Sequence, residues 1–187
     1  MTMATQRPGQ TVTSSGADDE QRFTVMYQGH YVDVVRYGYR RLGDLDASTE
    51  LAQDVFLVAW RRRTRVPAHS LPWLYGVARR LLANQWRARR REAGHVPLGD
   101  ADHLAAVRPG STSDAAATRA DLSRALTQLS ERDREVLRLV AWEQLTTAEL
   151  ATALGTSQTT AKVRLHRARR RLAAAMTGTT ASNRRTT

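Results

Sequence analysis

The 187-residue sequence has no cysteine, a single lysine and no long apolar run. Without cysteine the chain can have no disulfide, no cysteine-ligated zinc and no thiol catalysis. No segment approaches the roughly 18 apolar residues of a membrane span. The N-terminus has no apolar signal segment, which favours a cytoplasmic location. The histidines and carboxylates match no metal-binding motif, so we expect no metal, cofactor, small-molecule substrate or catalytic centre.

Positive charge is in excess instead. The formal net charge is +11 and the isoelectric point is about 11.3. Nearly all of this charge is arginine, whose planar guanidinium suits bidentate contacts with phosphates and base edges. The composition therefore predicts a polyanionic partner, and nucleic acid and an acidic membrane surface both remain open at this point.

Hydrophobic residues recur at helical spacing and nowhere alternate as in a strand, which predicts an all-α protein. The polar, aperiodic ends and the Gly/Pro/Ser-rich middle divide the chain into two small helical domains joined by a flexible linker. We expect a disordered tail at 1–17, a first domain at 18–91, a linker at 92–117, a second domain at 118–176 and a disordered tail at 177–187. Helices are expected from Asp18 or Asp19 to Leu42 and over about 48–63, and a short helix within 100–108 is possible.

The segment "LPWLYGVARRLLANQWRARRR" (71–91) combines aromatic residues with six arginines. On a helical wheel its apolar residues share one arc, with Trp73 in the middle as a core residue. The opposite arc has a basic face, bordered by aromatic residues on one side and Asn84 on the other: Arg79, Arg80, Arg87 and Arg90, with Tyr75 and Trp86 at the border. Such a face suits melted or single-stranded nucleic acid. For Tyr75 and Trp86, core packing and base stacking remain equally open.

The segment "STELAQDVFLVAWRRR" (48–63) predicts a second surface of different character. Its outer arc is acidic and apolar, which favours a protein interface in so basic a chain. The arc comprises Glu50, Gln53, Asp54 and Leu57, with Trp60 at its edge. Local charge balance, with Leu57 covered by the linker, is the alternative.

The segment "TTAELATALGTSQTTAKVRLHRARRRL" (146–172) has helix-turn-helix form. Thr146 and Glu149 are spaced as a capping box, and Gly155 suits a left-handed turn. In the last helix Ala161, Leu165, Ala168 and Leu172 face inward. The outward face resembles a recognition helix, although an ordinary amphipathic helix is the alternative. This face comprises Thr159, Val163, His166, Arg167 and Arg170, flanked by Thr160, Lys162, Arg164, Arg169 and Arg171.

In this order, these stretches resemble the extracytoplasmic-function (ECF) group of bacterial sigma factors, over about residues 23–176. "YRRLGD…LAQDVFLVAW…PWLYGVARRLLANQWRARRR" resembles sigma region two. "ALTQLSERDREVLRLVAWEQLTTAELATALGTSQTTAKVRLHRARRRL" resembles region four. The resemblance implies a promoter-specificity subunit, without catalysis of its own, that initiates transcription. The implied partners are core RNA polymerase, through its β′ clamp and β flap, promoter DNA and an anti-sigma factor that is often membrane-anchored.

The resemblance also implies roles for matching residues. Docking on the β′ clamp falls to Glu50, Gln53, Asp54, Leu57 and Trp60. The loop "TRVPAHS" and the helix after it match the part of the family that captures the melted minus-ten element. The implied contact residues are His69, Tyr75, Arg79, Arg80, Asn84, Trp86, Arg87 and Arg90. The last helix matches the one that reads the minus-thirty-five element. The implied contact residues are Gln158, Thr159, Thr160, Lys162, Val163, Arg164, His166, Arg167 and Arg170.

In region two, Thr49 replaces one member of the adjacent acidic pair that is usual in the family. Three positions in region four depart from the family pattern: Thr156, Ala161 and Val163. The first two are smaller than the usual apolar residues and predict a looser core in region four. Val163 stands where serine is common, so the family consensus for the minus-thirty-five sequence does not transfer to this chain. Two other hypotheses stay open here: a free-standing helix-turn-helix regulator that binds as a dimer, and an RNA-binding protein that uses the arginine faces.

Overall fold

The computed structural model describes the backbone of residues 12–92 and 113–183. Within these ranges the protein has seven α-helices, one 3-10 turn and no strand, which confirms the all-α prediction. The helices are α1 (Val12–Leu42), α2 (Leu45–Arg61), α3 (Leu71–Glu92), α4 (Ser113–Thr127), α5 (Glu131–Ala141), α6 (Thr147–Leu154) and α7 (Gln158–Asn183), and the 3-10 turn is Arg63–Arg65. Most of the predicted linker, and the short helix considered within it, lie outside the described residues.

Several helices extend further than the sequence pattern predicted. Helix α1 begins at Val12, α4 begins at Ser113 and α7 continues to Asn183. Helix α2 begins three residues before Ser48 because Asp44 caps it, with its Oδ1 accepting from the backbone N–H of Ala47 at 2.7 Å. An aspartate at this position satisfies an amide that has no partner within the helix.

The first domain packs α1, α2 and α3 around a shared apolar core. Helix α1 ends at Leu42, and the next residue, Gly43, has a φ of 69° that turns the chain into α2. The largest fully buried side chains of this core come from all three helices: Val34, Tyr37, Leu51, Val55, Leu74 and Leu82. Each helix contributes one apolar stripe, as the 3.6-residue periodicity predicted.

The second domain is a helix-turn-helix with two supporting helices. Both halves of the predicted capping box are present at the start of α6: the Thr146 hydroxyl accepts from the Glu149 amide, and Glu149 Oε2 accepts from the Thr146 amide at 2.8 Å. Gly155 ends α6 in the left-handed region with φ 63°. The Ser157 hydroxyl then accepts from the Thr160 amide at 3.2 Å, at the start of α7.

The two domains are packed against each other, and buried side chains from both form one continuous core. Helix α6 crosses α3 at Gly76, where an added Cβ would lie 2.8 Å from the carbonyl oxygen of Ala153. Only a glycine allows two helix backbones to approach this closely. The amphipathic patterns had indicated each domain separately and carried no information about this contact.

Candidate polymerase and nucleic-acid interfaces

The outer arc of α2 is exposed, as the helical wheel predicted. Glu50, Gln53 and Asp54 are all exposed. Leu57 is 45% exposed and so lies under no described segment, while Trp60 is 36% exposed at the edge of the arc. We call these five residues the α2 arc. It presents carboxylates beside an exposed leucine and an indole, a composition typical of a protein interface.

An aromatic cluster supports the α2 arc from below. The Phe23 ring meets the Trp60 ring edge-on, with centroids 5.0 Å apart, and Tyr27 meets Phe56 at 4.8 Å. The Arg63 guanidinium lies over the Trp60 indole at 4.5 Å from its centroid. These contacts hold Trp60 in one orientation, which reduces the entropy that a partner would have to overcome on binding.

The basic face of α3 concentrates positive charge over a short distance. Partial burial lowers the pKa of Arg80, and the charges of Arg79 and Arg62 lower it further. Arg80 is exposed and Arg79 is half-buried. Three guanidinium groups that repel one another are stabilised when an anion such as a phosphate lies among them.

Asn84 lies on the exposed side of the same helix. Its Oδ1 accepts from Arg87 Nη2 at 2.6 Å, and Arg87 Nε donates to the Ala83 carbonyl at 3.0 Å. Asn84 is therefore held by a neighbouring arginine and leaves its amide group facing solvent. The backbone of Arg90 continues α3, but its side chain lies outside the described residues.

The aromatic residues of α3 differ from their predicted positions. Tyr75 is only 4% exposed and stacks on Tyr37 with centroids 5.2 Å apart, so its placement at the border of the exposed basic face was wrong. Burial raises the pKa of Tyr75. Trp86 is half-buried and packs against the core. For part of its ring this favours core packing over base stacking. Trp73, predicted in the middle of the core arc, is only partly buried.

The loop before α3 lies beside a cavity of about 560 Å³. One wall is the N-terminal half of α1, including Phe23, Met26 and His30, and the other is formed by Arg63 and residues 66–68. The buried Nδ1 of His30 and Nε of Arg63 have no hydrogen-bond partner within the described structure. The cavity is thus apolar with polar groups on its wall, and it lies within the size range of small-molecule pockets.

Helix α7 has one buried apolar face and one exposed basic face, as predicted. Ala161, Leu165 and Ala168 are buried, whereas Leu172 is partly buried. The exposed side chains form one basic surface, with Val163 at 42% exposure: Gln158, Thr159, Lys162, Val163, Arg164, His166, Arg167, Arg169, Arg170 and Arg171. Thr160 is half-buried, and its hydroxyl lies 2.9 Å from that of Ser157.

Sequence reasoning missed the polar cluster in the seam between the domains. Arg41 donates to both carboxylate oxygens of Glu135 at 3.1 Å and to Glu143 Oε1 at 3.0 Å. Tyr37 donates to Glu135 at 2.9 Å, and Arg40 donates to Glu143 at 2.8 Å. Burial raises the pKa of the Glu143 carboxyl, and Arg41 and Arg40 partly offset this. No local pattern marks residues that meet only after about 100 intervening positions.

A second polar contact crosses the seam at the surface. His69 Nε2, in the loop before α3, lies 2.6 Å from Glu149 Oε1. The Glu149 side chain thus makes hydrogen bonds both within the α6 capping box and to His69 of the first domain. Hydrogen bonds from the Thr146 hydroxyl and amide, followed by that from His69, lower the pKa of Glu149 to about 2.

Among the described residues, none of the helices is both long and apolar enough to cross a membrane. The same residues contain no cluster of three or more histidine, aspartate or glutamate side chains that could hold a metal ion.

Two family models match the chain, one for each domain. Sigma-70 region 2 matches residues 26–92 and Sigma-70 region 4 matches residues 119–172. The ECF RNA polymerase sigma factor SigL of Mycobacterium tuberculosis is 29% identical over 167 residues, which cover 86% of this chain and 92% of SigL. SigF of Caulobacter vibrioides, another ECF sigma factor, is 36% identical over 146 residues, covering 75% and 77% of the two chains.

A solved structure shares the fold. The sigma factor RpoE from Bartonella quintana, in complex with the anti-sigma factor NepR, matches with a TM-score of 0.56 and 24% identity, covering 83% of this chain and 96% of that one. A Sigma-70 region 2 domain joined to a Sigma-70 region 4 helix-turn-helix defines a promoter-recognition subunit of RNA polymerase that initiates transcription. Within that class, the chain belongs to the ECF sigma factor family.

Proposed function

We propose that three surfaces divide the work of this sigma factor, and that none of them performs a catalytic step. The α2 arc docks on the clamp coiled coil of the polymerase β′ subunit. The loop before α3 and the basic face of α3 hold the melted minus-ten strand. The exposed face of α7 reads the minus-thirty-five element in duplex DNA, while region four contacts the β flap.

The α2 arc is the observation that carries the docking assignment. The chain has a net charge of +11, yet this exposed patch is acidic and contains Leu57 at 45% exposure. Carboxylates on a basic protein disfavour DNA and favour a basic protein surface, while the leucine adds apolar contact area. Docking on a protein is therefore the role that suits this patch.

The arginine crowding on α3 supports capture of a phosphate backbone. Arg79, Arg80 and Arg62 raise the local positive potential, and phosphates that bind there relieve their repulsion. Arg87 and Arg90 extend the same face toward the end of the helix. Asn84 is the candidate for reading a base edge, because an amide can both donate and accept hydrogen bonds.

The cavity beside the loop supports the same role. Trapping an unstacked base lets binding energy offset the cost of unpairing. A space of about 560 Å³ next to His30 and Arg63 is large enough for a base. His69, at the end of the loop, and Trp86, with its half-buried ring, flank the strand. Tyr75 is left out of this proposal because it is buried against Tyr37.

The exposed face of α7 supports duplex reading. Short polar residues stand near its N-terminus, where a recognition helix approaches base edges, and arginines follow where it passes phosphates. Gln158, Thr159 and Val163 belong to the first group, and Val163 offers a methyl contact to thymine. The second group comprises Lys162, Arg164, His166, Arg167 and Arg170, and Thr160 lies at the margin.

We also propose an anti-sigma factor as the regulatory partner. The support is that the RpoE structure of similar fold contains one. The chain would then act in the cytoplasm, where polymerase and promoter DNA are found, and an anti-sigma factor anchored in the membrane would hold it there until a signal releases it.

The docking assignment is tested by charge reversal in the α2 arc. Replacing Asp54 and Leu57 by arginine is expected to abolish binding to core polymerase, measured by co-sedimentation, without loss of far-ultraviolet circular dichroism. Glu20→Arg with Val32→Arg is the matched control, because these exposed α1 residues undergo the same charge change. Unchanged binding of the α2 double variant would remove the arc from the docking role.

Transcription tests the function as a whole. Core polymerase with the wild-type chain is expected to initiate at specific sites, while the chain alone binds promoter duplex weakly. Tight sequence-specific binding without polymerase, together with no effect on transcription, would support a free-standing regulator instead.

A further inference from the structure

The cavity beside the loop before α3 has a wall that the family match does not include. Residues 21–23 and 25 of α1 line it, together with Met26, Gly29 and His30. The Sigma-70 region 2 match begins at residue 26, so the first of these wall residues precede it. The volume of about 560 Å³ is that of a small-molecule pocket. The cavity therefore merits consideration as a ligand site of this particular chain.

Most of the cavity wall is apolar. An apolar body placed there would leave water together with the surface it covers, which is favourable. The Phe23 ring is held edge-on against Trp60, with centroids 5.0 Å apart, so this part of the wall is already ordered. The apolar wall residues are Phe23, Val25, Met26, Val66, Pro67 and Ala68.

Arg63 supplies a polar group that has no partner. Its Nη1 donates to the Trp60 carbonyl at 3.3 Å, and its guanidinium lies over the Trp60 indole at 4.5 Å from the ring centroid. These two contacts fix the position of the side chain. Its Nε is buried and has no hydrogen-bond partner within the described structure. Because a buried donor without a partner is unfavourable, an acceptor brought by a ligand would be stabilised there.

The charge around the cavity favours an anionic acceptor. Among the described residues that line it, none is acidic. Arg22 is already paired with Asp19 of the same helix. His30 Nδ1 lies 3.9 Å from the Asp33 carboxylate, which is beyond hydrogen-bonding distance. Arg63 is thus the wall cation that remains available, and a carboxylate would accept a charge-assisted hydrogen bond from it.

We propose that this cavity is a binding site for a small aromatic carboxylate, with the ring between the apolar walls and the carboxylate on Arg63 Nε. The site itself depends only on the cavity. Its regulatory meaning rests on the proposed function, because the bound anion would occupy the space proposed for an unstacked minus-ten base. The ligand would therefore act as an inhibitor of strand capture.

Naphthoate is the probe, and naphthyl methanol is the neutral compound with the same ring system. In a ligand-observed NMR titration of the full chain, we expect naphthoate to bind about tenfold more tightly, because only the carboxylate makes a charge-assisted hydrogen bond. Arg63→Met should abolish this difference. Arg65→Met, at an exposed arginine of the same 3-10 turn, is the matched control. Equal binding of the two compounds to the wild type, or an unchanged preference in Arg63→Met, would overturn the proposal.

Filling the cavity tests where the probe binds. Gly29 lines the cavity, and a Cβ added there meets nothing within 4 Å, so leucine has room. Leucine also suits a helix better than glycine, so α1 should stay folded. Gly16→Leu is the matched control, since Gly16 is also in α1 with open space around it and is not among the cavity residues. We expect Gly29→Leu alone to lose naphthoate binding. The same affinity in both variants, with circular dichroism intact, would show that the probe binds elsewhere.

Transcription separates this inference from the proposed function. Naphthoate is expected to reduce initiation by core polymerase with the wild-type chain, with half-inhibition near its dissociation constant. Arg63→Met should need about tenfold more naphthoate, relative to its own rate without ligand. Binding in the cavity without inhibition would overturn the inhibitory role. If the wild-type chain does not initiate even without ligand, the proposed function fails, and the naphthoate titration alone decides whether the site exists.

Discussion

Arg41 of α1 and Glu135 of α5 form a two-point ion pair across 94 positions of the chain, with both nitrogen–oxygen distances at 3.1 Å. The Arg41 guanidinium also lies 3.4 Å from the centroid of the Tyr37 ring. The Arg41 side chain thus links the first domain to the helix-turn-helix domain.

Replacing Arg41 by methionine is expected to weaken the closed arrangement, because Glu135 and Glu143 lose the cation that they share. Removing one partner of a buried pair costs about 3–5 kcal/mol. Here the carboxylates can regain water when the domains separate, so we expect opening before either domain unfolds. Urea denaturation should then show two transitions instead of one. Arg36→Met is the control, since Arg36 is exposed and pairs only with the neighbouring Asp33 within the described contacts. A single unshifted transition for Arg41→Met would contradict the prediction.

The Glu149 carboxylate is expected to stabilise the second domain in a pH-dependent manner. Its pKa falls from 4.5 to about 2 in the folded chain, chiefly through hydrogen bonds from Thr146. Since the folded pKa lies below the unfolded one, the stabilisation is complete above about pH 5 and is lost as the pH falls toward 2. Glu149→Gln should remove this part of the pH dependence while it retains an acceptor for the Thr146 amide.

The measurement for Glu149 is the urea midpoint of wild type minus that of the variant between pH 3 and pH 7. We expect the difference to be constant at the upper end and to shrink below pH 5. Glu20→Gln, at an exposed position of α1, is the control for losing a carboxylate. If the difference in midpoint does not vary with pH, protonation of Glu149 is not coupled to the stability of the second domain.

Gly155→Ala is expected to destabilise the helix-turn-helix by about 1–2 kcal/mol, because an L side chain is strained in the left-handed region. The φ of Gly155 is 63°, and an added Cβ would meet nothing within 4 Å, so the cost comes from the backbone alone. Thermal unfolding followed by circular dichroism measures it. Gly155→Asn should be milder, because asparagine tolerates this conformation. Equal stabilities for alanine, asparagine and wild type would argue against the strained turn.

On the exposed face of α7, we expect some residues to contact phosphates and others to contact bases. Arg170→Ala should weaken minus-thirty-five binding by the holoenzyme on all sequences and reduce the slope of log K against log salt by about 1. Val163→Ser should leave the salt slope unchanged and alter the preference at one base pair. Fluorescence anisotropy at several salt concentrations distinguishes them. A changed slope for Val163→Ser, or an unchanged one for Arg170→Ala, would place these side chains in other roles.

Local features of the fold were predictable from the sequence because their causes lie within a few residues. The α6 capping box, the left-handed Gly155 and the inward face of α7 all depend on spacings of three to seven positions. The exposed arc of α2 followed from the same periodicity. The start of α2 was placed three residues late, because Asp44 and Ser48 are both acceptable caps and only packing buries Ser48.

Aromatic residues at the border between two faces could not be assigned in this way. A helical wheel places Tyr75 beside the arginines, but burial also depends on what lies opposite. The Tyr37 ring covers Tyr75 from α1, so a residue expected at the edge of a DNA surface is part of the core. Arg79 is half-buried, and the other described arginine side chains of α3 are exposed, because few neighbours can satisfy a guanidinium.

The sequence by itself determined an all-helical chain, an acidic arc on α2, basic faces on α3 and α7, and family membership, since each rests on local periodicity and residue chemistry. Only the tertiary structure decided that Arg41 lies between Glu135 and Glu143 and that Gly76 admits the Ala153 backbone. Contacts between residues so distant along the chain leave no periodic trace, because they depend on how two finished surfaces fit together.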